Sequence, residues 1–551
     1  MKDPIDPIRL EIIRSALIAA AEEMSTVIFR TSRSPAIREG KDHSTGIFDP
    51  LGQNLAQSAR VPIHLNVMGT CLEDVLRRFI PAHTWNDGDL VIVNDPYCGA
   101  QHLPDIATFA PIFFDGQLLG FVGMLAHQVD VGGGAPGSYD MHARDIFAEG
   151  LRIPPIRLRN KGVLNQEVLD LILQNTRQPE IVRADLISQM SALSIGIENV
   201  IRLCRKYGRE LLQKAATQIL DQSELAMSNA IRVLPQGTYE FDDVVDGDGV
   251  VEGRSYRIAV SLEIKGGRIK VDLSGSDDQA AGPINCTLNI AKSAVYYAII
   301  AGIGDEIPAN AGCYKLIDVV AREGSIVHCR YPAPVVSRIT VGHRIVNVIM
   351  GALSKALPDR IPAAYYGVSY TCILGAVMPD TSLNVMLDVE VGGWGAEPNR
   401  DGASALACGL HNARNMPLEM LEATYPVIFR TYSLRPDSGG EGKYRGGLGV
   451  IREWELNTDR GTLSLTVDRV KRGPFGLLGG KPGMPGRVVM IRRNGDELPL
   501  PAKASGIELK RGDRLRLETS GGGGFGHPAE RADESVRQDT VNGYVSRIED
   551  R

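Results

Sequence analysis

The sequence predicts a multidomain α+β protein with mixed sheets, a helical segment in the N-terminal half and a strand-rich C-terminal third. Apolar residues recur at every third or fourth position between residues 165 and 234, which is the period of an amphipathic helix. From Thr238 the apolar period becomes two, as in strands that bury one face. We therefore divide the 551 residues into an N-terminal α/β domain (1–160), a helical segment (161–236), a central α+β domain (237–430) and a strand-rich, glycine-rich C-terminal region (431–551).

The composition argues against two classes of partner. The 60 basic and 66 acidic side chains give a formal charge of −6 without any basic run, which disfavours nucleic acid. The N-terminus lacks the apolar core of a signal peptide, and no apolar run approaches the roughly 20 residues of a membrane-spanning helix. We therefore expect a cytoplasmic protein with no membrane role.

The cysteines are distributed singly, with no Cys-x-x-Cys pair, at positions 71, 98, 204, 286, 313, 329, 372 and 408. This pattern is typical of reduced thiols rather than of disulfides or a cysteine-based zinc site. We interpret Cys98, which lies in a polar cluster, as a small loop residue.

The N-terminal region begins with a predicted helix. Asp6 and Pro7 are typical of a helix start, and apolar residues follow at helical spacing to residue 28. Residues 30–49 form a polar stretch that ends in a strand, so this stretch, which contains Asp42, is either a solvated loop or a site. Residues 61–65 predict a short extended segment, in which His64 is a candidate core histidine.

Two polar clusters lie at the predicted ends of strands. Residues 89–93 predict a buried strand, and residues 109–123 predict a hairpin with an Asp-Gly turn at 115–116. The first cluster contains His102 and Asp105, and the hairpin brings His127 back beside them. Two imidazoles and one carboxylate are a common open-sided site for a catalytic divalent metal.

Other interpretations of these clusters stay open. Asp95 and Asp130 flank the three predicted ligands and could orient them through hydrogen bonds. The alternative is that the histidines only satisfy backbone groups near turns, as single histidines often do.

In the rest of the chain, stretches with the helical spacing of apolar residues alternate with stretches that have the strand spacing of two. We predict strands at 239–241, 256–264, 268–273, 463–467, 488–491 and 514–518, and helices at 291–300 and 343–356. Glycines at 392–395 indicate a backbone that closely approaches another group. Four glycines at 521–524 lack the Lys-Ser/Thr pair of a phosphate loop, so we do not predict ATP binding there.

Motifs distributed over nearly the whole chain resemble those of the hydantoinase B/oxoprolinase family. They are Asp-Pro at 6–7 with Leu-Glu-Ile at 10–12, Asp-x-Ser at 42–44, His-Leu-Pro-Asp at 102–105, Ser-Gly-Gly at 438–440 and the glycines at 521–524. This family comprises the B-type subunits of ATP-dependent hydantoinases, 5-oxoprolinases and caprolactamases, and is related to acetone and acetophenone carboxylases. Two positions differ from its usual pattern: Ala100-Gln101 replace Gly-Thr, and Glu397 stands where Arg is frequent.

The resemblance implies a hetero-oligomer in which an A-type subunit consumes ATP and phosphorylates a carbonyl oxygen of the substrate. In the acetone carboxylases a His, an Asp three residues later and a further His hold a divalent metal, and His102, Asp105 and His127 match them. We therefore expect Mn or Zn at these residues. Asp42, His64 or Asp130 would accept the proton of the attacking water, and the sequence does not select among them.

The resemblance favours hydrolysis of a cyclic amide, such as a hydantoin, 5-oxoproline or a related lactam. Three alternatives stay open. The chain could be a subunit of an ATP-dependent ketone carboxylase, because acetophenone carboxylases have B-type subunits of similar length. It could instead be a structural subunit that organises the ATP-using partner, or a metal hydrolase that acts alone.

Overall fold

The computed structural model describes residues 4–64, 67–304, 307–407 and 409–546. In this part of the chain the helices are α1 (Pro7–Thr31), α2 (Pro35–Arg38), α3 (Val67–Asp74), α4 (Gln166–Gln174), α5 (Pro179–Tyr207), α6 (Arg209–Arg232), α7 (Leu288–Ile303), α8 (Ala311–Tyr314), α9 (Arg338–Ala356), α10 (Leu418–Thr424) and α11 (Asp533–Val541). The predicted N-terminal helix is confirmed, since Asp6 caps α1 by accepting a hydrogen bond from the Arg9 amide.

The strands form four sheets. The first eleven are β1 (His43–Phe48), β2 (Asn54–Gln57), β3 (Leu90–Val93), β4 (Asp105–Phe114), β5 (Gln117–His127), β6 (Ile156–Asn160), β7 (Val163–Leu164), β8 (Gly237–Val245), β9 (Tyr256–Lys265), β10 (Arg268–Asp272) and β11 (Ile317–Val320). The others are β12 (Tyr370–Val377), β13 (Leu383–Glu390), β14 (Val427–Leu434), β15 (Val450–Leu456), β16 (Arg460–Thr466), β17 (Arg487–Ile491), β18 (Glu497–Pro499), β19 (Lys503–Lys510) and β20 (Arg514–Glu518). The predicted α+β class with mixed sheets is confirmed.

The first sheet is antiparallel, with strand order β2-β1-β5-β4-β3-β6-β7, and is covered on both faces. Alternate residues of a strand point to opposite faces. Ile106 and Val122 accordingly pack with α1 and α5, whereas Phe109 and Phe121 pack with α3 on the other side. The predicted hairpin is confirmed, and its turn at Asp115-Gly116 has the positive φ angles of 48° and 74° that such turns require.

The predicted helical segment corresponds to α4, α5 and α6. Its buried residues Leu186, Leu193 and Val200 belong to the same core as α1 and the first sheet. The segment therefore completes the N-terminal core, because a helix with one apolar face is stable only when another element covers that face.

The second sheet has the order β11-β10-β9-β8, and α9 packs on β8 and β9 while α7 packs on α9. The third sheet has the order β13-β12-β16-β19, and the fourth has β14-β15-β20-β17-β18. The third sheet pairs β12 with β16, so it joins residues from both sides of the predicted boundary at 430. The predicted domain boundaries stay predictions.

The glycine-rich loops pack against one another. A Cβ on Gly393 would lie 1.9 Å from the Gly447 carbonyl oxygen, and one on Gly522 would lie 1.8 Å from that of Trp394. Only glycine permits backbones to approach this closely. The amides of Gly522 and Gly523 donate to the carbonyls of Gly447 and Ala364 at 2.9 Å each, so these loops bind each other.

The structure corrects one local prediction, for residues 61–65, and agrees with the prediction of reduced cysteines. Pro62–His64 is a 3-10 turn rather than an extended segment, because proline favours a turn at its first position; Leu65 lies outside the described residues. The seven described cysteines are free and buried, and Cys408 lies outside the described residues. Among the described residues, no helix combines the length and hydropathy needed to cross a membrane.

Candidate metal centre

The hairpin of β4 and β5 places two of the predicted ligands side by side. Asp105 is the first residue of β4 and His127 is the last residue of β5, and the two are directly paired across the strands. His127 Nδ1 lies 3.0 Å from Asp105 Oδ1. The His127 amide also donates to the Asp42 carbonyl at 3.1 Å, which connects this end of the hairpin to the chain before β1.

His102 completes the group from the turn that precedes β4. The Asp105 amide donates to the His102 carbonyl at 3.0 Å, and this turn directs the imidazole toward the Asp105 carboxylate. His102 Nε2 lies 3.1 Å from Asp105 Oδ1. All three side chains are buried, and one ligand atom from each lies within 4.8 Å of the other two.

The His102 imidazole contains a buried nitrogen without a hydrogen bond. Its Nδ1 lies 3.1 Å from the Val336 carbonyl oxygen and 3.2 Å from Arg338 Nη1. In the tautomer that donates from Nδ1 to this carbonyl, the lone pair lies on Nε2. Among the described residues, Nε2 has no hydrogen-bond partner of normal geometry. A lone pair that faces a carboxylate in a dry site is unfavourable unless a cation lies between them.

Arg338 binds the other oxygen of the carboxylate. This buried guanidinium, at the start of α9, donates to Asp105 Oδ2 at 2.7 Å and to Gln101 Oε1 at 3.0 Å. Gln101 in turn donates to the Ile63 carbonyl at 2.9 Å. The guanidinium therefore orients Asp105 so that Oδ1 faces the two imidazoles.

The electrostatics favour a neutral imidazole beside a charged carboxylate. Burial and the charge of Arg338 lower the pKa of His102 to about 3. Burial disfavours ionised Asp105, but the neighbouring His102 and Arg338 and the hydrogen bond from His127 hold its pKa well below the ordinary value. At His127 the hydrogen bond to Asp105 outweighs burial and raises the pKa. Neutral His102 and ionised Asp105 are therefore in the protonation states that bind a metal, whereas His127 would release a proton on binding one.

Two of the three candidate proton acceptors lie beside this group. His64 Nε2 is 3.9 Å from Asp105 Oδ2 and 4.0 Å from Asp42 Oδ1. His64 Nδ1 contacts Ser44 Oγ at 2.9 Å, and burial lowers the pKa of this imidazole. The buried environment of His64 therefore favours its neutral form, and the partly exposed Asp42 lies on its Nε2 side.

Asp130 and Asp95 are engaged elsewhere. Asp130 accepts hydrogen bonds from the amides of Gly132 and Gly137, each at 2.9 Å, and from Arg177 Nη1 at 3.0 Å. Asp95 accepts from the Tyr97 amide at 2.9 Å and pairs with Arg152 at 3.1 Å. Among the described residues, neither carboxylate has a hydrogen bond or ion pair with the three predicted ligands. Their contacts stabilise loops.

Three residues of the site were not predicted from the sequence. Arg338 lies 233 positions from Asp105, and no local pattern connects the two. The Tyr139 ring lies 6.0 Å from that of His102 and covers the imidazoles. Glu149 accepts hydrogen bonds from the amides of Val335 and Val336 at 2.6 and 2.7 Å, so it positions the carbonyl that binds His102. Burial raises the pKa of Glu149 to about 8.

The residues fit a divalent metal. Two ligands that are each about 2.1 Å from a tetrahedral ion lie about 3.4 Å apart, close to the 3.0 and 3.1 Å that separate Asp105 Oδ1 from the imidazole nitrogens. Two imidazole nitrogens suit Zn, and a carboxylate suits Mn as well. The Val336 carbonyl and Arg338 hold the ligands from outside, as partners of metal ligands do.

Comparisons with known proteins agree with these motifs. A sequence profile described as Hydantoinase B/oxoprolinase matches residues 6–528. The B subunit of a putative D-/L-hydantoinase of Pseudomonas sp. is 31% identical over 98% of this chain and 94% of its own length. The beta subunit of the caprolactamase of Pseudomonas jessenii is 30% identical over 98% of this chain and 94% of its own.

Two solved structures share the fold. The crystal structure of the ATP-dependent caprolactamase from Pseudomonas jessenii matches with a TM-score of 0.93 and 29% identity, over 99% of this chain and 95% of that chain. The nucleotide-free structure of acetone carboxylase matches with a TM-score of 0.89 over 98% of this chain and 78% of that chain. At 20% identity, this second match is one of fold alone. With a profile that covers almost the whole chain, the protein belongs to the hydantoinase B/oxoprolinase family.

Proposed function

We propose that this chain is the B-type subunit of an ATP-dependent cyclic amidohydrolase. It opens a hydantoin, 5-oxoproline or related lactam that an A-type, ATP-using partner has phosphorylated. The observation that carries this proposal is the buried group of His102, Asp105 and His127, with one imidazole nitrogen left for a cation. The similarity to the beta subunit of a caprolactamase supports the substrate class.

The three residues would hold Mn or Zn. When bound, the ion would act as a Lewis acid that polarises a substrate oxygen or a water molecule. Arg338 keeps Asp105 oriented and balances its charge at 2.7 Å, so the carboxylate stays ionised in a buried site. Tyr139 and the burial of both imidazoles exclude bulk water, which strengthens every charge interaction there.

His64 is the proton acceptor that the geometry supports best. With Nδ1–H donating to Ser44 Oγ, Nε2 carries the lone pair that would take a proton from the attacking water. Asp42, 4.0 Å from Nε2, would stabilise the imidazolium that forms. Asp130 is less suitable as a base because its oxygens already accept from Arg177 and two backbone amides.

We expect His64→Gln to lower ATP-dependent turnover by about 10²- to 10⁴-fold, because the variant lacks a general base. Asp42→Asn should reduce it less, since the imidazole remains. Bound metal should equal that of wild type in both variants, and the exposed His83→Gln serves as control. The measurement is steady-state turnover of the reconstituted complex with elemental analysis of each variant. Wild-type turnover in His64→Gln together with a large loss in Asp42→Asn would assign the base to Asp42.

The function itself is tested by reconstitution with the A-type subunit. The complex is incubated with ATP and a panel of lactams, hydantoins and ketones, with and without labelled bicarbonate. We expect ring opening in bicarbonate-depleted buffer, phosphate release in step with it, and no turnover by the chain alone. Label in a carboxylated product without lactam opening would identify a ketone carboxylase. If a complex in which His102, Asp105 and His127 are all replaced keeps full activity, this chain has a structural role instead.

A further inference from the structure

A basic cavity is lined in part by Lys41, the residue that precedes Asp42. Its volume is about 380 Å³, and its wall includes Lys41, Arg60 and Arg414. None of the described residues that line it is acidic. A cavity with several cations and no counter-charge is a strong attractor for an anion.

Two hydrogen bonds hold the three cations around this space. The Arg414 amide donates to the Gly40 carbonyl at 3.1 Å, which places Arg414 beside Lys41. Asn412 Nδ2 donates to the Arg60 carbonyl at 2.9 Å and fixes the same loop against the third cation. The positive charges are therefore kept together by the fold although they repel one another.

The nearby charges leave this cluster positive. Arg60 pairs with Glu22 at 2.8 Å, so it contributes least. Lys41 contacts the Phe29 ring, and burial followed by the charges of Arg414 and Arg60 lowers its pKa. The opposing charge of Glu39 is the smaller effect, and Glu39 pairs with Arg38 at 3.6 Å. Among the described residues, Arg414 has no ion pair. Next to Val391 of the wall, the carboxylates of Asp388 and Glu390 pair with the buried Arg452 at 2.8 and 2.9 Å. Burial raises the pKa of Glu390 to about 8, so this group adds little negative charge near neutral pH.

The cavity adjoins the reacting groups through two of its cations. Lys41 immediately precedes Asp42, whose carboxylate lies 4.0 Å from His64 Nε2. Arg60 also lines a second cavity of about 360 Å³, which contains His64 and Ser44. An anion held by Lys41 would therefore lie close to Asp42 and to the second cavity, which His64 lines.

We propose that this cavity binds the phosphoryl group of the phosphorylated substrate and so positions its activated carbon at the metal centre. This proposal rests on the proposed function, because the phosphoryl group comes from the A-type partner. A phosphoryl group carries about −1.5 to −2 charges and three acceptor oxygens, whereas a carboxylate carries one charge. Three cations match the phosphoryl group better, and Arg414, which has no ion pair among the described residues, is the arginine suited to a bidentate contact.

The test uses the full chain without partner or ATP and inorganic phosphate as the probe. Isothermal titration at constant ionic strength compares wild type with Lys41→Met/Arg414→Gln, with Arg414→Lys, and with Arg511→Gln. Arg511 is an exposed arginine that pairs with Asp459 outside this cavity, so its variant controls for loss of charge. We expect at least tenfold weaker phosphate binding in the double variant, a smaller loss in Arg414→Lys, and wild-type binding in Arg511→Gln.

Other results would overturn the assignment. Equal phosphate binding in wild type and the double variant, or no binding in wild type, would exclude the cavity as a phosphoryl site. Acetate that binds as tightly as phosphate would assign the cavity to a substrate carboxylate instead. Metal content is measured in each variant and should not change, since neither residue touches the predicted ligands. If the chain binds phosphate but the reconstituted complex opens no lactam, the proposed function is wrong. The cavity would still be a phosphate-binding site.

Discussion

Removing any one of His102, Asp105 and His127 is expected to abolish stable metal binding and, with it, ATP-dependent turnover. Two remaining ligands hold a divalent cation too weakly to compete with water, because each protein ligand contributes to a shared preformed site. The loss should be largest for Asp105→Ala, which removes the only carboxylate of the group. The measurement is elemental analysis of His102→Ala, Asp105→Ala and His127→Ala after dialysis, beside wild type.

The control for this experiment is His142→Ala, since His142 is exposed and lies outside the group. Asp105→Ala also leaves the Arg338 guanidinium buried without its carboxylate, which costs about 3–5 kcal/mol of stability. Thermal unfolding therefore accompanies each metal analysis, and the two histidine variants separate loss of ligand from loss of fold. Metal occupancy equal to wild type in all three variants would refute the metal site.

The second large effect is expected at Arg344, whose side chain is fully buried in α9. Its guanidinium lies 3.1 Å from Asp243 at the end of β8 and 2.5 Å from Asp468 after β16. Arg344→Met should leave both carboxylates short of a cation and lower the free energy of unfolding by about 3 kcal/mol. Breaking a buried ion pair typically costs about 3–5 kcal/mol. We expect the lower value because Arg469 still binds Asp243 at 2.7 Å and Lys503 still binds Asp468 at 2.9 Å.

The measurement is the urea midpoint of the unfolding transition, with Arg430→Met as a matched control. Arg430 pairs with Glu455 at 2.9 Å at the surface, where an ion pair contributes about 1 kcal/mol or less. Because Arg344 connects the second sheet to the third, we also expect the two regions to unfold together. A midpoint in Arg344→Met equal to that of the control would show that this ion network adds little to stability.

The candidate site could be predicted from the sequence only where its residues are close in the chain or joined by a hairpin. His102 and Asp105 are three positions apart, and an Asp-Gly turn predicts that His127 returns beside them. Arg338 could not be predicted, because it reaches Asp105 from the start of a helix 233 positions away. The choice of His64 over Asp130 also required the fold, since both are polar residues near predicted strand ends.

The fold, like the site, was predictable where it depends on neighbouring residues and not where it depends on distant ones. Helix starts and strand periods follow from local chemistry, so the start of α1 and the turn of the β4–β5 hairpin were predicted at their observed positions, although both strands extend four residues beyond the predicted 109–123. The pairing of β12 with β16 across the predicted boundary at 430 was not predicted. Pairing between distant strands depends on register and packing, which a local apolar period does not contain.

By itself, the sequence determined the α+β class, the resemblance to the hydantoinase B/oxoprolinase family and the three predicted ligands, because motif, period and turn chemistry are properties of neighbouring residues. Only the tertiary structure placed Arg338 on the Asp105 carboxylate, and His64 rather than Asp130 beside it. It alone also gathered Lys41, Arg60 and Arg414 around one cavity. These charges come from distant segments, and their interaction energies depend on distance and burial, which only the folded chain defines.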